Sequence, residues 1–282
     1  MILVTAVTKS CLKDFLLMKL TYDLYHTGHT YNIACDDYCF EYLNNRFGNV
    51  GCVLFPEIAD GCHKIDKNKD LIDFNAINNF KNIINAKFQI AIKTKEETED
   101  IVLWIDVDHL FINPIDEYIY ADKNDAMITP HYSNGAANEM LVGFYNCGFA
   151  FINSVDFLKE WYRIYLIHDQ LGIYFEQKAL ELACKSFKIT ILPINYNLGW
   201  WKLANDRFEG GNGAHFSVDS TSDFYIYNNK IINFHFHIFQ QNQHLFDRDT
   251  LTRIFVEMIQ KRGRQEDQKT LEEISRLTNE NI

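Results

Sequence analysis

The sequence predicts an α/β fold with a mostly parallel central sheet flanked by helices, and three observations carry that prediction. Between residues 2 and 109, short unbroken apolar runs alternate with longer segments of helical period, the pattern of βαβ units whose strands are covered on both faces. Hydrophobic residues make up 47% and charged residues 23% of 282, enough to bury one sizeable core. Aromatics reach 15%, with 22 Phe and 15 Tyr, so much of that core is aromatic.

Taken in order, ILVTAVT (2–8) reads as a buried strand, and Ser10 is placed to cap a helix with Leu12, Phe15, Leu16, Leu20 and Leu24 on its apolar face. Gly28 is placed to end that helix, and HTYNIACDD (29–37) is a second strand closed by two carboxylates. A helix over 37–47, a strand over 51–55, a polar loop over 56–73 and a long helix over 74–95 follow. TEDIVLWIDVDH (98–109) reads as one strong strand. The second half is more mixed. Strands are expected at 125–130, 145–153, 188–193 and 226–239, with a polar loop at 131–140. Ser154 should cap a helix through about 171, Gly172 should break it, and a further helix should cover 175–185. Residues 245–262 form an amphipathic pattern with Leu251, Ile254, Phe255 and Met258, and the charged last 20 residues read as a peripheral helix or a frayed tail. There is no internal repeat and no linker, so one domain is expected over 1–282.

The net charge of −11 disfavours nonspecific binding to nucleic acid or an anionic membrane. No stretch approaches the roughly 18 apolar residues of a membrane span, and the opening MILVTAVTKS lacks a basic leader region. Seven cysteines, without a CxxC pair and several within apolar runs, read as reduced core thiols of a cytoplasmic protein. The content of Asn, Ile and Lys fits a microbial or viral source.

The segment richest in chemistry is IVLWIDVDHLFINP (101–114), where an apolar run ends in Asp106-Val107-Asp108. In an extended chain residues i and i+2 point the same way, so both carboxylates should project to one side while Val107 enters the fold. Ligands of open α/β sheets bind outside the carboxyl ends of the strands. Two hard oxygen donors there suit Mn²⁺ or Mg²⁺ carrying phosphate oxygens.

With that segment the chain resembles the nucleotide-diphospho-sugar glycosyltransferases of the GT-A fold, glycogenin-like members in particular. The resemblance spans about residues 2–240 and follows the family's order. It implies a Rossmann-like sheet with a smaller mixed C-terminal part. About 1–109 would be the nucleotide-binding half, about 110–245 the sugar and acceptor half, and 246–282 C-terminal helices. It implies that Asp106 and Asp108 hold a divalent metal on the donor pyrophosphate. ILVTAVT would place Thr5 and Thr8 near the base, and ACDD (34–37) would bring Asp36 or Asp37 to a uracil. AKFQIAIK (86–93) would turn Lys87 toward the phosphates, and YNCGFAFIN (145–153) would line the sugar site with Asn146 and Gly148. FEQKAL (175–180) would supply Glu176 and Gln177 where the family has Asp-Gln. KIINFHFH (230–237) resembles the late strand that gives a metal-binding His, here His235 or His237, which alternation puts on one face. The chain departs from the glycogenin pattern in having Glu176 for Asp, and in lacking the Gly and Lys-Pro-Trp that follow the late His.

The implied activity is transfer of a sugar from a UDP-sugar to a hydroxyl of a glycan or other acceptor. Glu176 is then the candidate base if configuration inverts, or a donor-positioning group if it is retained. Trp200 and Trp201 could cover the apolar face of a sugar, and the glycine-bearing loop 205–215 could act as a lid or acceptor loop. Two other readings are a noncatalytic nucleotide- or glycan-binding module and a DxD phosphatase of the haloacid-dehalogenase type. In the latter DxD usually lies near the N-terminus, not after a complete βαβαβ unit. The sequence leaves the donor sugar, the acceptor, the stereochemistry and the oligomeric state open.

Overall fold

The computed structural model describes residues 1–48, 50–60, 74–131, 136–173, 175–199, 216–219, 223–236, 238–239 and 248–280. The first half follows the expected alternation: β1 (Ile2–Val7), α1 (Leu12–Tyr25), β2 (Thr30–Cys35), α2 (Asp37–Phe47), β3 (Gly51–Leu54), α3 (Phe74–Glu97) and β4 (Val102–Ile105). A turn leads to β5 (His109–Phe111), then come α4 (Tyr118–Ala121), β6 (Ala126–Pro130), α5 (Ala136–Val142) and β7 (Tyr145–Ile152). α6 (Val155–Leu166), α7 (His168–Leu171), α8 (Phe175–Cys184), β8 (Ile189–Ile191) and β9 (Leu198–Gly199) follow. The C-terminal part holds β10 (Phe216–Val218), β11 (Phe224–Ile226), β12 (Asn229–Lys230), β13 (Asn233–His235), α9 (Arg248–Arg262) and α10 (Gln265–Asn279).

Seven strands form the main sheet in the order β3-β2-β1-β4-β7-β6-β8. All run one way except β7, which is antiparallel to both β4 and β6. Strand alternation sorts side chains to two apolar layers. Leu3 and Val7 of β1 and Leu103 and Ile105 of β4 face a layer built with α1 and the C-terminal helices. Val4, Val102 and Trp104 face the other, built with α3, α6 and α8. A second sheet, β5-β13-β9, pairs β13 antiparallel to β5 and parallel to β9. A third, β10-β11-β12, is antiparallel.

Several local expectations are corrected. The strand expected over 98–109 stops at Ile105, Asp106 to Asp108 form a turn, and His109 begins a strand of a different sheet. An apolar run that crosses from one sheet to another keeps its period, so the break is silent in the pattern. The strand expected over 226–239 is a hairpin, β11 to β12, followed by β13. Tyr227 and Asn228 both have positive φ, 48° and 64°, the two-residue geometry that suits hairpin twist. The loop expected at 131–140 contains the start of α5, and the helix capped by Ser154 ends at Leu166 before the short α7. Ser154 does cap it, accepting a hydrogen bond from the Phe157 N–H at 3.2 Å.

The charged C-terminus is a packed helix. Leu277 of α10 is fully buried in the layer that includes α1. α1 buries Leu17, Met18 and Tyr22 beyond the narrow face expected, Tyr22 against Tyr31 and Phe111, while Leu20 and Leu24 stay half-buried. Arg262, at the end of α9, donates to Ile112 O at 2.7 Å and pairs with Asp267 of α10, both side chains buried. The six described cysteines are free thiols. Among the described residues no helix is long and apolar enough to cross a membrane.

Candidate active site at the junction of two sheets

β1, β4 and β6 end, and β7 begins, at one rim of the main sheet, and β5 and β13 start and end beside it. Pairing of β7 with β6 shifts register between Ile128 and Pro130. Such an irregularity re-aims side chains at a strand end. It brings Asn146 and Gly148 to the rim and turns Cys147 to the α8 side. A Cβ on Gly148 would lie 2.7 Å from His235 Cε1, 2.8 Å from Asp106 Oδ2 and 3.0 Å from Asn146 Oδ1. The glycine is therefore the floor on which the aspartate and the histidine close.

Asp106 and Asp108 leave the turn in different company. Lys87 of α3, 2% exposed, places Nζ 2.7 Å from Asp106 Oδ1 and 4.3 Å from the centroid of the Trp104 ring. Asp108, 9% exposed, has Oδ2 3.0 Å from His235 Nε2. The extended i, i+2 pair expected here is replaced by a turn, and the two carboxylates part: Asp106 pairs with Lys87, while Asp108 faces His235.

The amides around His235 fix what faces Asp108. Asn146 Oδ1 accepts the Gly148 backbone N–H at 2.8 Å, so it is an oxygen there and also accepts Asn197 Nδ2–H at 2.8 Å. Asn197 Nδ2–H donates as well to Thr129 Oγ1 at 2.9 Å. Asn197 Oδ1 is therefore the atom 2.6 Å from His235 Nδ1, which must carry the proton. Nε2 of the same ring faces a carboxylate oxygen. A contact of that length has room for a proton or a cation between the two atoms. Ligand atoms about 2.1 Å from one divalent ion and at right angles to it lie about 3.0 Å apart, so the pair fits such an ion. A carboxylate with an imidazole is a donor set suited to Mn²⁺. Asn197 holds this position from a left-handed backbone, φ 55°, which Asn tolerates better than most residues.

Asp108, His109 and His235 each offer a ligand atom within 4.8 Å of the others. The same reasoning sets His109 apart. Asn233 Oδ1 accepts the Asn197 N–H at 2.8 Å, so its Nδ2–H faces His109 Nδ1 at 2.7 Å. Nδ1 is an acceptor, Nε2 keeps the proton, and a protonated nitrogen is no metal ligand. His109 is fully buried, with its ring centroid 4.1 Å from that of His235. Burial first, then the neighbouring His235, holds its pKa well below the usual imidazole value. His109 is packing beneath His235.

Glu176, 3% exposed at the start of α8, is joined to this rim by Cys147, whose S–H donates to Glu176 Oε1 at 3.3 Å. Gln177 Oε1 lies 3.6 Å from the same sulfur. On the nucleotide side the residues divide. Thr8 closes β1 at the rim, 1% exposed. Asp36 caps α2 through Cys39 N–H at 2.8 Å and accepts Lys9 N–H at 2.9 Å, so both its oxygens are engaged, while Asp37 is exposed. Thr5 lies mid-strand and fully buried on the Leu3 and Val7 face, away from the rim. His237, Trp200 and Trp201, and the loop 205–215 fall outside the described residues. Sequence reasoning missed Asn197, Asn233, Trp104 and Cys147. Buried amides in NYNLG and KIINF were the available signal.

A hollow of about 490 Å³ opens at the opposite rim, lined by Lys19, Asp23 and Tyr31 among others. There Lys19 Nζ and the Tyr31 hydroxyl both bond Asp23, so these polar groups satisfy one another.

No family model matches the sequence, and no curated protein matches it. Solved structures do. Galactosyltransferase LgtC, crystallised with donor and acceptor sugar analogs, is similar over 90% of this chain and 95% of its own, at 12% identity and a TM-score of 0.53. An active-site mutant of LgtC matches over 91% and 96%, at 13% identity and TM-score 0.53. The apo form of glycosyltransferase GlyE from Streptococcus pneumoniae matches 70% of this chain at 17% identity and TM-score 0.44, and the chain spans 46% of the length of GlyE. The likeness to LgtC runs through nearly the whole chain, with its seven-stranded, mostly parallel sheet, and the fold is the GT-A fold of nucleotide-sugar glycosyltransferases.

Proposed function

We propose that this chain is a metal-dependent glycosyltransferase that takes a sugar from a UDP-sugar and delivers it to a hydroxyl of a glycan or another acceptor. The observation that carries the reading is the approach of His235 Nε2 to Asp108 Oδ2 at 3.0 Å, at the strand rim where α/β folds bind nucleotides. Asp108 and His235 would hold Mn²⁺ or Mg²⁺, with Asp106 alongside. Bound there, the ion supplies Lewis-acid stabilisation of a departing diphosphate.

The chain's own residues have separable tasks. Lys87, fixed between Asp106 and the Trp104 ring, contributes a positive charge that needs no reorganisation as the leaving group gains charge. Thr8 and one of Asp36 and Asp37 flank the base. Asn146, Gly148 and Gln177 line the sugar, with Trp200 and Trp201 as apolar cover. Glu176 takes the acceptor hydroxyl's proton if the reaction inverts, and positions the donor if it retains.

The test is a thermal-shift screen of UDP, GDP, CMP and common UDP-sugars, each with and without Mn²⁺. A ligand that binds only the folded state raises Tm by mass action. We expect a Mn²⁺-dependent rise with UDP or one UDP-sugar, lost in Asp108→Ala, followed by donor hydrolysis or transfer. No rise with any nucleotide would overturn the reading, and phosphate monoesters would be assayed next. Binding without turnover would instead favour a noncatalytic module.

A further inference from the structure

We infer that Trp104 and Trp161 form a positioning pair that sets the candidate base and the candidate phosphate-facing cation in register from beneath. Trp104 of β4 and Trp161 of α6 are both buried, with ring centroids 4.7 Å apart. Each indole uses its single N–H on a backbone carbonyl of the site. Trp104 donates to Cys147 O at 2.8 Å, and Trp161 donates to Glu176 O at 2.7 Å. The face of Trp104 carries Lys87 Nζ at 4.3 Å, and Lys87 reaches Asp106. The circuit closes through the Cys147 S–H to Glu176 Oε1.

Two further facts give the pair more to do than fill the core. Phe175, just before Glu176, has φ 35°, a conformation that persists only where its surroundings over-determine it. The Trp161 N–H fixes the carbonyl next to it. Nothing about burial alone would aim both N–H groups at residues 147 and 176. An indole is a donor only, so its direction is set by the one carbonyl it meets. A displacement of about 1 Å in a reacting group can cost about 100-fold in rate.

The pair's kinetic consequence rests on the transferase reading, but its structural one does not. The experiment therefore has two arms, on Trp104→Phe and Trp161→Phe, which keep most of the ring and remove the donor. In the first arm, iodoacetamide labelling of Cys147 is followed by mass spectrometry well below each Tm. We expect labelling at least tenfold faster in both variants, because the thiol's partner Glu176 or its own backbone is released. Phe157→Leu, which thins the same aromatic layer without touching either carbonyl, should lower Tm and leave the Cys147 rate within twofold. In the second arm, kcat should fall at least tenfold with donor KM within threefold. If a Phe variant does not fold, exchange of both indole protons in the unmodified chain, expected to be slow, is measured by NMR in its place. Cys147 rates that track Tm equally in the Trp and Phe157 variants, or fast exchange of both indole protons, would overturn the pair. Absent turnover in the unmodified chain would sink the transferase reading and leave the labelling arm to decide this one.

Discussion

A single methyl group at Gly148 would meet His235, Asp106 and Asn146 at once, at 2.7, 2.8 and 3.0 Å. Contacts under 3.0 Å force movement, and of these neighbours His235 is one half of the proposed cation site while Asp106 lies beside it. Gly148→Ala should therefore keep the fold, read by circular dichroism and a Tm within a few degrees, and lose the Mn²⁺-dependent shift with UDP. Asn197 acts on the same ring from behind. Replacing a group that orients a ligating histidine typically costs 10–100-fold in metal affinity. Asn197→Ala should weaken Mn²⁺ binding by that range in calorimetry, and unchanged affinity would show that the amide does not set the tautomer. Neither residue's part was legible in the sequence, for a physical reason. The role of Asn197 depends on which end of its amide meets Thr129 and Asn146 and which meets His235, and those partners are 38 to 68 positions away. Asp106, Asp108 and His235 were legible because their chemistry is unusual for the end of an apolar run.

Among the elements, the C-terminal helices stand where the sequence expects them, over Arg248–Arg262 and Gln265–Asn279. What the charged pattern does not reveal is that Arg262 and Asp267 bury their charges against each other and against Ile112 O, two residues after the centre of β5. Removing one partner of a buried pair costs about 3–5 kcal/mol, whereas replacing both by apolar groups is often neutral. Arg262→Met should thus destabilise by about 3 kcal/mol or more in urea titrations, and adding Asp267→Leu should recover most of it. Long elements such as α3 and α9, and the strands β1 and β2, could be read from period and capping alone. The short strands β5, β9 and β12 could not. They are two or three residues long and are defined by a partner strand, not by an internal pattern.

For the molecule as a whole, acid should be the weak side. His26 accepts the Ile115 N–H on Nε2 at 2.9 Å and donates from Nδ1 to Tyr22 O at 2.9 Å. Burial pushes its pKa down from 6.5 to about 4. The unfolded chain then binds the proton more readily than the folded one, so stability rises with pH across that window. The contribution is complete above pH 6.5 and is lost as pH falls toward 4. At about 1.4 kcal/mol per unit, it amounts to about 3 kcal/mol. Fully buried His109, depressed for the same reason, adds to the same side. Denaturation at pH 7.5 and pH 5 should show the loss, and His26→Gln should reduce the difference between the two; an equal difference in the variant would assign the acid sensitivity elsewhere.

The step from the main sheet to the second sheet is made by three residues, Asp106 to Asp108. Such a length spans about 10 Å at full stretch, so the splice has almost no slack. Any sliding of the small sheet against the large one must pull on both carboxylates together, because one of them is anchored to α3 through Lys87 and the other faces β13. The chain can therefore tolerate changes of side chain at Val107 far better than a change of length there: inserting one residue would leave every element intact and put the two halves of the site out of step.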